Sequence, residues 1–88
     1  MLTEDILVTN PKGIHARPSR MLAETAREFH SEILLESRGI QANAADIMSI
    51  LTLGAFYGDV IKVTITGEDE IHAMEKIREI FALNFGED

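Results

Sequence analysis

The sequence predicts a small α/β (α+β) fold, an open-faced sandwich in which helices cover one side of a four-stranded sheet, in the order βαββαβα. Three observations predict it. Four short segments rich in branched aliphatic residues alternate with helix-period segments, each of those helices has one apolar face, and Gly, Pro and Asn punctuate the joints. At 88 residues, with 45% hydrophobic and 26% charged residues, the chain fits one domain over residues 1–88 rather than two.

The elements follow in order. Asp5 to Thr9 is short and β-branched and runs into Asn10-Pro11-Lys12-Gly13, a strand followed by a loop. Pro18 suits the first turn of a helix, where its missing N–H would be unpaired anyway. That helix is expected to reach Phe29, with Met21, Leu22, Ala26 and Phe29 on its apolar side and Arg20, Glu24, Arg27 and Glu28 on its wet side. Ser31 to Ser37 and Ile40 to Asn43 form a hairpin through the two-residue turn Arg38-Gly39. Asp46 is placed to cap a short helix through Leu53 with Gly54 just beyond, although Ile47 to Leu51 also reads as a buried strand. Val60 to Ile65 is the fourth strand, and Gly67 breaks it. The acids Glu68, Asp69 and Glu70 suit the start of a last helix carrying Ile71, Met74, Ile77, Phe81 and Phe85 on one side. The pattern alone leaves a ferredoxin-like strand order open.

Composition removes several functions. With no cysteine there is no disulfide, thiolate metal site or cysteine nucleophile. A formal net charge of −7 opposes binding to a phosphate backbone, so nucleic acid is not an expected partner. The longest apolar stretch, Ile47 to Tyr57, is broken by Ser49, Thr52 and Gly54 and falls short of the roughly 20 residues of a membrane span. An acidic N-terminal segment does not read as a secretory signal, so a cytoplasmic location is expected. No His-x3-His pair, calcium loop or glycine-rich nucleotide loop is present, so neither metal nor cofactor is expected.

One histidine stands apart. His15 lies in a loop directly before a helix start, whereas His30 and His72 read as surface residues at a helix end and among acids. The first N–H groups of a helix lack intrahelical partners and carry partial positive charge, which suits a phosphate on a neighbouring side chain and a neutral rather than a cationic ring. Arg17 adds a planar, permanently charged fork for phosphoryl oxygens. Gly13 lets the loop turn, and Pro18 fixes the entry to the helix.

The string Gly13-Ile14-His15-Ala16-Arg17-Pro18-Ser19 closely resembles the phosphorylation-site motif of the HPr family, and the likeness in motif position and element order extends over essentially the whole chain. The resemblance implies an HPr-like open-faced β-sandwich and a phosphocarrier rather than an enzyme. Such a carrier takes a phosphoryl group from phosphohistidine on Enzyme I, itself charged by phosphoenolpyruvate, and passes it to an EIIA-type acceptor. By that analogy Nδ1 of His15 bears the group, Arg17 assists, and Ala16, Arg17 and Pro18 form the phosphate-binding segment. The implied partner surface joins Ala16 and Arg20 to Ile47, Met48 and Leu51, and a monomer is expected.

Two departures bear on the branch of the family. Asp46 replaces the serine that a regulatory kinase phosphorylates in many relatives, so that regulation is expected to be absent, and Asp46 reads as an N-cap before it reads as a phosphoserine mimic. Glu24 and Ser49 stand where sugar-transport relatives often carry lysine, leaving Arg17, Arg20 and Arg27 as the basic edge. The ending Phe81 to Asp88 resembles the nitrogen-related branch, NPr, whose role is regulatory signalling. An NPr-like interaction module, in which the state of His15 controls a partner, is therefore the alternative reading.

Overall fold

A computed structural model describes residues 1–86; Glu87 and Asp88, the last two residues of the NPr-like ending, lie outside the described residues. The elements are β1 (Leu2–Leu7), α1 (Ala16–Ala26), β2 (Glu32–Ser37), β3 (Ile40–Asn43), α2 (Ile47–Leu51), β4 (Val60–Thr66) and α3 (Glu70–Ala82), followed by a 3-10 turn over Asn84–Gly86. The sheet order is β1-β4-β2-β3 with every neighbouring pair antiparallel. Strand β4 thus inserts between β1 and β2, where a ferredoxin-like arrangement would place β3, and that alternative is excluded.

Strand alternation decides which face the helices cover. Ile61, Val63 and Ile65 of β4 pair with Ile6, Glu4 and Leu2 of β1, and Ile33 and Leu35 of β2 pair with Ile65 and Val63, which places these residues on one face. There the aliphatic residues meet Leu22 and Ala23 of α1, Ile50 of α2, and Met74 and Ile77 of α3 in a single core. Thr3, Asp5, Lys62, Thr64 and Glu36 occupy the other face, which no helix covers. One hydroxyl on the covered side is unsatisfied: Ser37 is buried, and its Oγ has no hydrogen-bond partner among the described residues. Ser37→Ala is therefore expected to stabilise the fold by about 1 kcal/mol, read as a rise in the thermal midpoint.

Element ends differ from the sequence reading for identifiable reasons. Strand β1 begins at Leu2 rather than Asp5 and ends at Leu7 rather than Thr9, because Val8 exchanges hydrogen bonds with Asp59 and Gly58 of a loop. Helix α1 stops at Ala26, short of Phe29. The chain continues as i→i−3 turns until the His30 N–H is taken by the Asp69 carboxylate at 2.9 Å, which ends any helical continuation. The segment after Asp46 is a helix and not a strand, and it closes at Leu51 rather than Leu53. Helix α3 ends at Ala82, so Phe85 is not a helical residue. Asn84 and Phe85 take positive φ angles, and this reversal returns the Phe85 ring beneath Phe81 at a centroid distance of 4.9 Å. Ile71 is exposed in the first turn of α3, while Ile80 takes the buried place expected for it.

Asp69 opens α3 without capping it. Its carboxylate accepts instead from the Ser31 hydroxyl at 2.5 Å and from the His30 N–H, tying α3 to the start of β2. These bonds, the one from Ser31 foremost, hold the Asp69 carboxyl below the ordinary aspartate value. A carboxyl depressed in the folded state contributes stability above its unfolded pKa, and that contribution is lost as pH falls through the folded value. Asp69→Asn is expected to lower the thermal midpoint at pH 7, with a difference from wild type that shrinks once the pH drops below about 4.

Candidate functional site

The loop between β1 and α1 is built to hold one short segment. Asn10 is buried, and its Nδ2 donates to the Gly13 carbonyl at 2.5 Å while the Gly13 N–H donates to the Asn10 carbonyl at 3.0 Å. Gly13 has φ +69°, and a Cβ there would stand 2.5 Å from the Ala55 carbonyl oxygen, so the loop presses directly on the backbone after α2. Ile14 is buried and donates its N–H to that same carbonyl at 2.9 Å. His15 is next, fixed from below by a core anchor on one side and a helix on the other.

His15 is the N-cap of α1, in extended conformation with φ −96° and ψ −161°, and its ring does not cap the helix. The helix starts from its main chain: the His15 carbonyl accepts from the Ser19 N–H at 3.0 Å and the Ser19 hydroxyl at 2.7 Å. Ala16, Arg17 and Pro18 are then the first three helical residues. Pro18 has no N–H, so the first-turn amides this helix offers are those of Ala16 and Arg17. His15 is half-buried, Ala16 and Arg17 are exposed, and a groove of about 470 Å³ beside them is lined by Ala16, Arg17, Arg20, Met21 and Glu24.

The remaining expected positions fall on the same side of the molecule, because α1 packs against α2. Met48 is 70% exposed and Leu51 37%, while Ile47 is half-buried and turns partly into the core. Asp46 caps α2, accepting from the Met48 N–H at 3.0 Å and the Ser49 N–H at 3.4 Å. Ser49 is occupied structurally, its hydroxyl accepting the Asn43 N–H at 2.9 Å. Of the basic edge, Arg20 faces Glu24 at 3.6 Å, and Arg27 donates to the Ala45 carbonyl at 2.9 Å, a tether between α1 and the approach to α2.

Sequence reasoning passed over three features. Asn10 and Ser19 shape the backbone on either side of His15, and neither carries a signal in sequence beyond its suitability for loops and first turns. Phe56 and Tyr57, 62% and 66% exposed, add apolar surface next to the Gly13 loop. An aromatic pair bracketed by Gly54 and Gly58 was the available signal. Among the described residues no group of three His, Asp or Glu side chains is arranged to hold a metal ion, and no helix is long and apolar enough to cross a membrane.

The family model for the PTS HPr component phosphorylation site matches residues 2–82. The chain is 42% identical over 88 residues to the phosphocarrier protein HPr of Xylella fastidiosa (strain 9a5c), covering 100% of this chain and 99% of that one. It is 32% identical to the phosphocarrier protein HPr of Treponema pallidum (strain Nichols), with 100% of both chains covered. The crystal structure of HPr-C-His from Thermoanaerobacter tengcongensis matches the fold with a TM-score of 0.95 at 35% identity, over 100% of this chain and 99% of that one. An HPr dimer from the same organism matches with a TM-score of 0.79 at 36% identity, covering 93% of this chain and 94% of that one. With a whole-chain likeness of this kind over a shared phosphorylation-site motif, the chain belongs to the HPr family of phosphocarrier proteins of the phosphotransferase system.

Proposed function

We propose that His15 accepts a phosphoryl group on Nδ1 from phosphohistidine on Enzyme I and passes it to an EIIA-type acceptor. The single observation that carries this reading is the place of His15: half-buried at the N-cap of α1, followed at once by the Ala16 and Arg17 amides and an exposed guanidinium. In the forward step a lone pair of the neutral imidazole attacks phosphorus, a nitrogen–phosphorus bond forms on His15, and the bond to the donor's nitrogen breaks, leaving that electron pair on the donor. The second transfer repeats this with His15 as the leaving group. Such transfers need little from the protein beyond positioning and charge stabilisation. The Ala16 and Arg17 amides and the Arg17 fork supply donors for the phosphoryl oxygens.

The site lies within one chain, so a single copy working in the cytoplasm as one domain suffices. Donor and acceptor meet the same surface in turn: Ala16, Arg20, Ile47, Met48 and Leu51, widened by Phe56 and Tyr57. Interfaces used in succession are small, below about 1,200 Å² in total. Asp46 has no hydroxyl to phosphorylate and serves as the cap of α2, so control by a serine kinase is absent at this position.

The test is incubation with phosphoenolpyruvate and Enzyme I. One phosphoryl group, labile to acid and stable to base, is expected on the protein, assigned by NMR to Nδ1 of His15; a protein that stays unlabelled, or carries its label elsewhere, overturns the reading. Passage of the label to a sugar-transport component marks the transport role, and binding to a controlled protein without such passage marks the NPr-like one.

A further inference from the structure

Arg38 sits where the backbone does not favour an arginine. Arg38 and Gly39 form the two-residue turn between β2 and β3 with φ angles of 51° and 81°. Both positive, these angles define a type I′ hairpin turn, whose preferred sequence is Asn-Gly. A residue that breaks a local preference is a candidate for a role elsewhere.

Its side chain leaves the hairpin altogether. Nη2 donates to the Gly54 carbonyl at 2.7 Å and lies 3.5 Å from an Asp59 carboxylate oxygen, and the guanidinium carbon stands 5.6 Å from the centre of the Phe56 ring. The same Asp59 carboxylate accepts the Phe56 N–H at 2.8 Å. One guanidinium therefore grips both ends of the segment from Gly54 to Asp59. The middle of that segment is what the His15 loop rests on: the Ala55 carbonyl accepts the Ile14 N–H at 2.9 Å and packs against Gly13.

We propose that Arg38 is a positioning residue for the His15 site, acting through the Gly54 to Asp59 segment on Ile14, which sets where His15 stands. The inference rests on the reading of His15 as the phosphoryl acceptor. The side chains of Arg38 and Asp59 are 56% and 25% exposed, and ion pairs so placed add little to global stability. A small displacement of a reacting group has a far larger effect on rate. The strut therefore serves the site more than the fold.

Two variants test it. Arg38→Asn suits the turn while removing the strut, and Asp59→Asn weakens the strut while keeping the arginine charge. Both are expected to speed amide hydrogen exchange at Ile14 about tenfold, with exchange at Ile61 and Val63 unchanged. The thermal midpoint of Arg38→Asn is expected to stay level or rise. In both variants the maximal rate of label uptake from phospho-Enzyme I is expected to fall about fivefold, with little change in the donor concentration for half-saturation. Unaltered exchange at Ile14 overturns the strut. Slowed uptake confined to Arg38→Asn and expressed only as weaker donor binding also overturns it, because it marks a direct contact with the partner. Wild type that takes no label overturns the carrier reading and the positioning role with it, while exchange at Ile14 still reads the strut without any donor.

Discussion

His15→Ala is expected to take up no phosphoryl group from phospho-Enzyme I and yet to fold as the wild type does. The main chain of His15 is extended at the N-cap, with its carbonyl bound by the Ser19 N–H and hydroxyl, a role any residue fills. Its ring is half-buried and does not cap the helix, so alanine removes the proposed phosphoryl acceptor while leaving that main-chain role in place. Arg17→Ala is the informative companion. An exposed guanidinium beside the helix start adds nothing to the core, but a donor aimed at transferring oxygens is worth about 100-fold in rate. Arg17→Lys keeps the charge and loses the fork, and an intermediate rate is expected. Quench-flow uptake of label alongside thermal unfolding separates these effects. Label on His15→Ala, or an Arg17→Ala rate equal to wild type, would break the assignment of roles.

Much of this was legible before the fold was known, and the reasons are physical. Helix-period and alternating apolar residues specify element type because burial on one face is what those elements need, whereas the type of α2 was settled by its Asp46 cap and not by its apolar run, which also reads as a strand. Element ends depend on single distant partners. Asp69 ending the extension of α1 at His30 is a contact across 39 positions of sequence, beyond any local pattern. Strand order is likewise non-local, so only the structure distinguishes β4 from β3 beside β1. Phe85 misleads by spacing: it lies four residues after Phe81, as a helical neighbour would, and reaches the same core through a left-handed reversal instead. For the proposed site, His15, Arg17 and Pro18 were readable as candidates because one short string carries them. The support from Ala55, Phe56 and Arg38 was not, since three separate loops converge there only in space.

That convergence gives Gly13→Ala a large expected effect on stability. Two penalties add. At φ +69° an alanine is held in the left-handed region, at about 1 kcal/mol or more. Its Cβ would also lie 2.5 Å from the Ala55 carbonyl oxygen and 2.9 Å from the Phe56 Cα. Both contacts are backbone, so no rotamer change relieves them, and the two loops must separate at a further cost of about 1–3 kcal/mol. Separation stretches the Ile14 N–H bond to Ala55 and disturbs the paired Asn10 and Gly13 bonds, which are the anchors of His15. A total loss of about 2–4 kcal/mol is expected in urea unfolding, against roughly 4–13 kcal/mol of stability for a chain of this size. The folded fraction is expected to transfer phosphate more than about tenfold slower, because displacement of the loop moves the nucleophile off its amides. Gly39→Ala is the control: φ there is +81°, with nothing within 4 Å of the added carbon, so only the conformational penalty applies. If Gly13→Ala costs no more than Gly39→Ala, the loop yields freely. His15 would then not be held by the contact between the Gly13 loop and the backbone after α2.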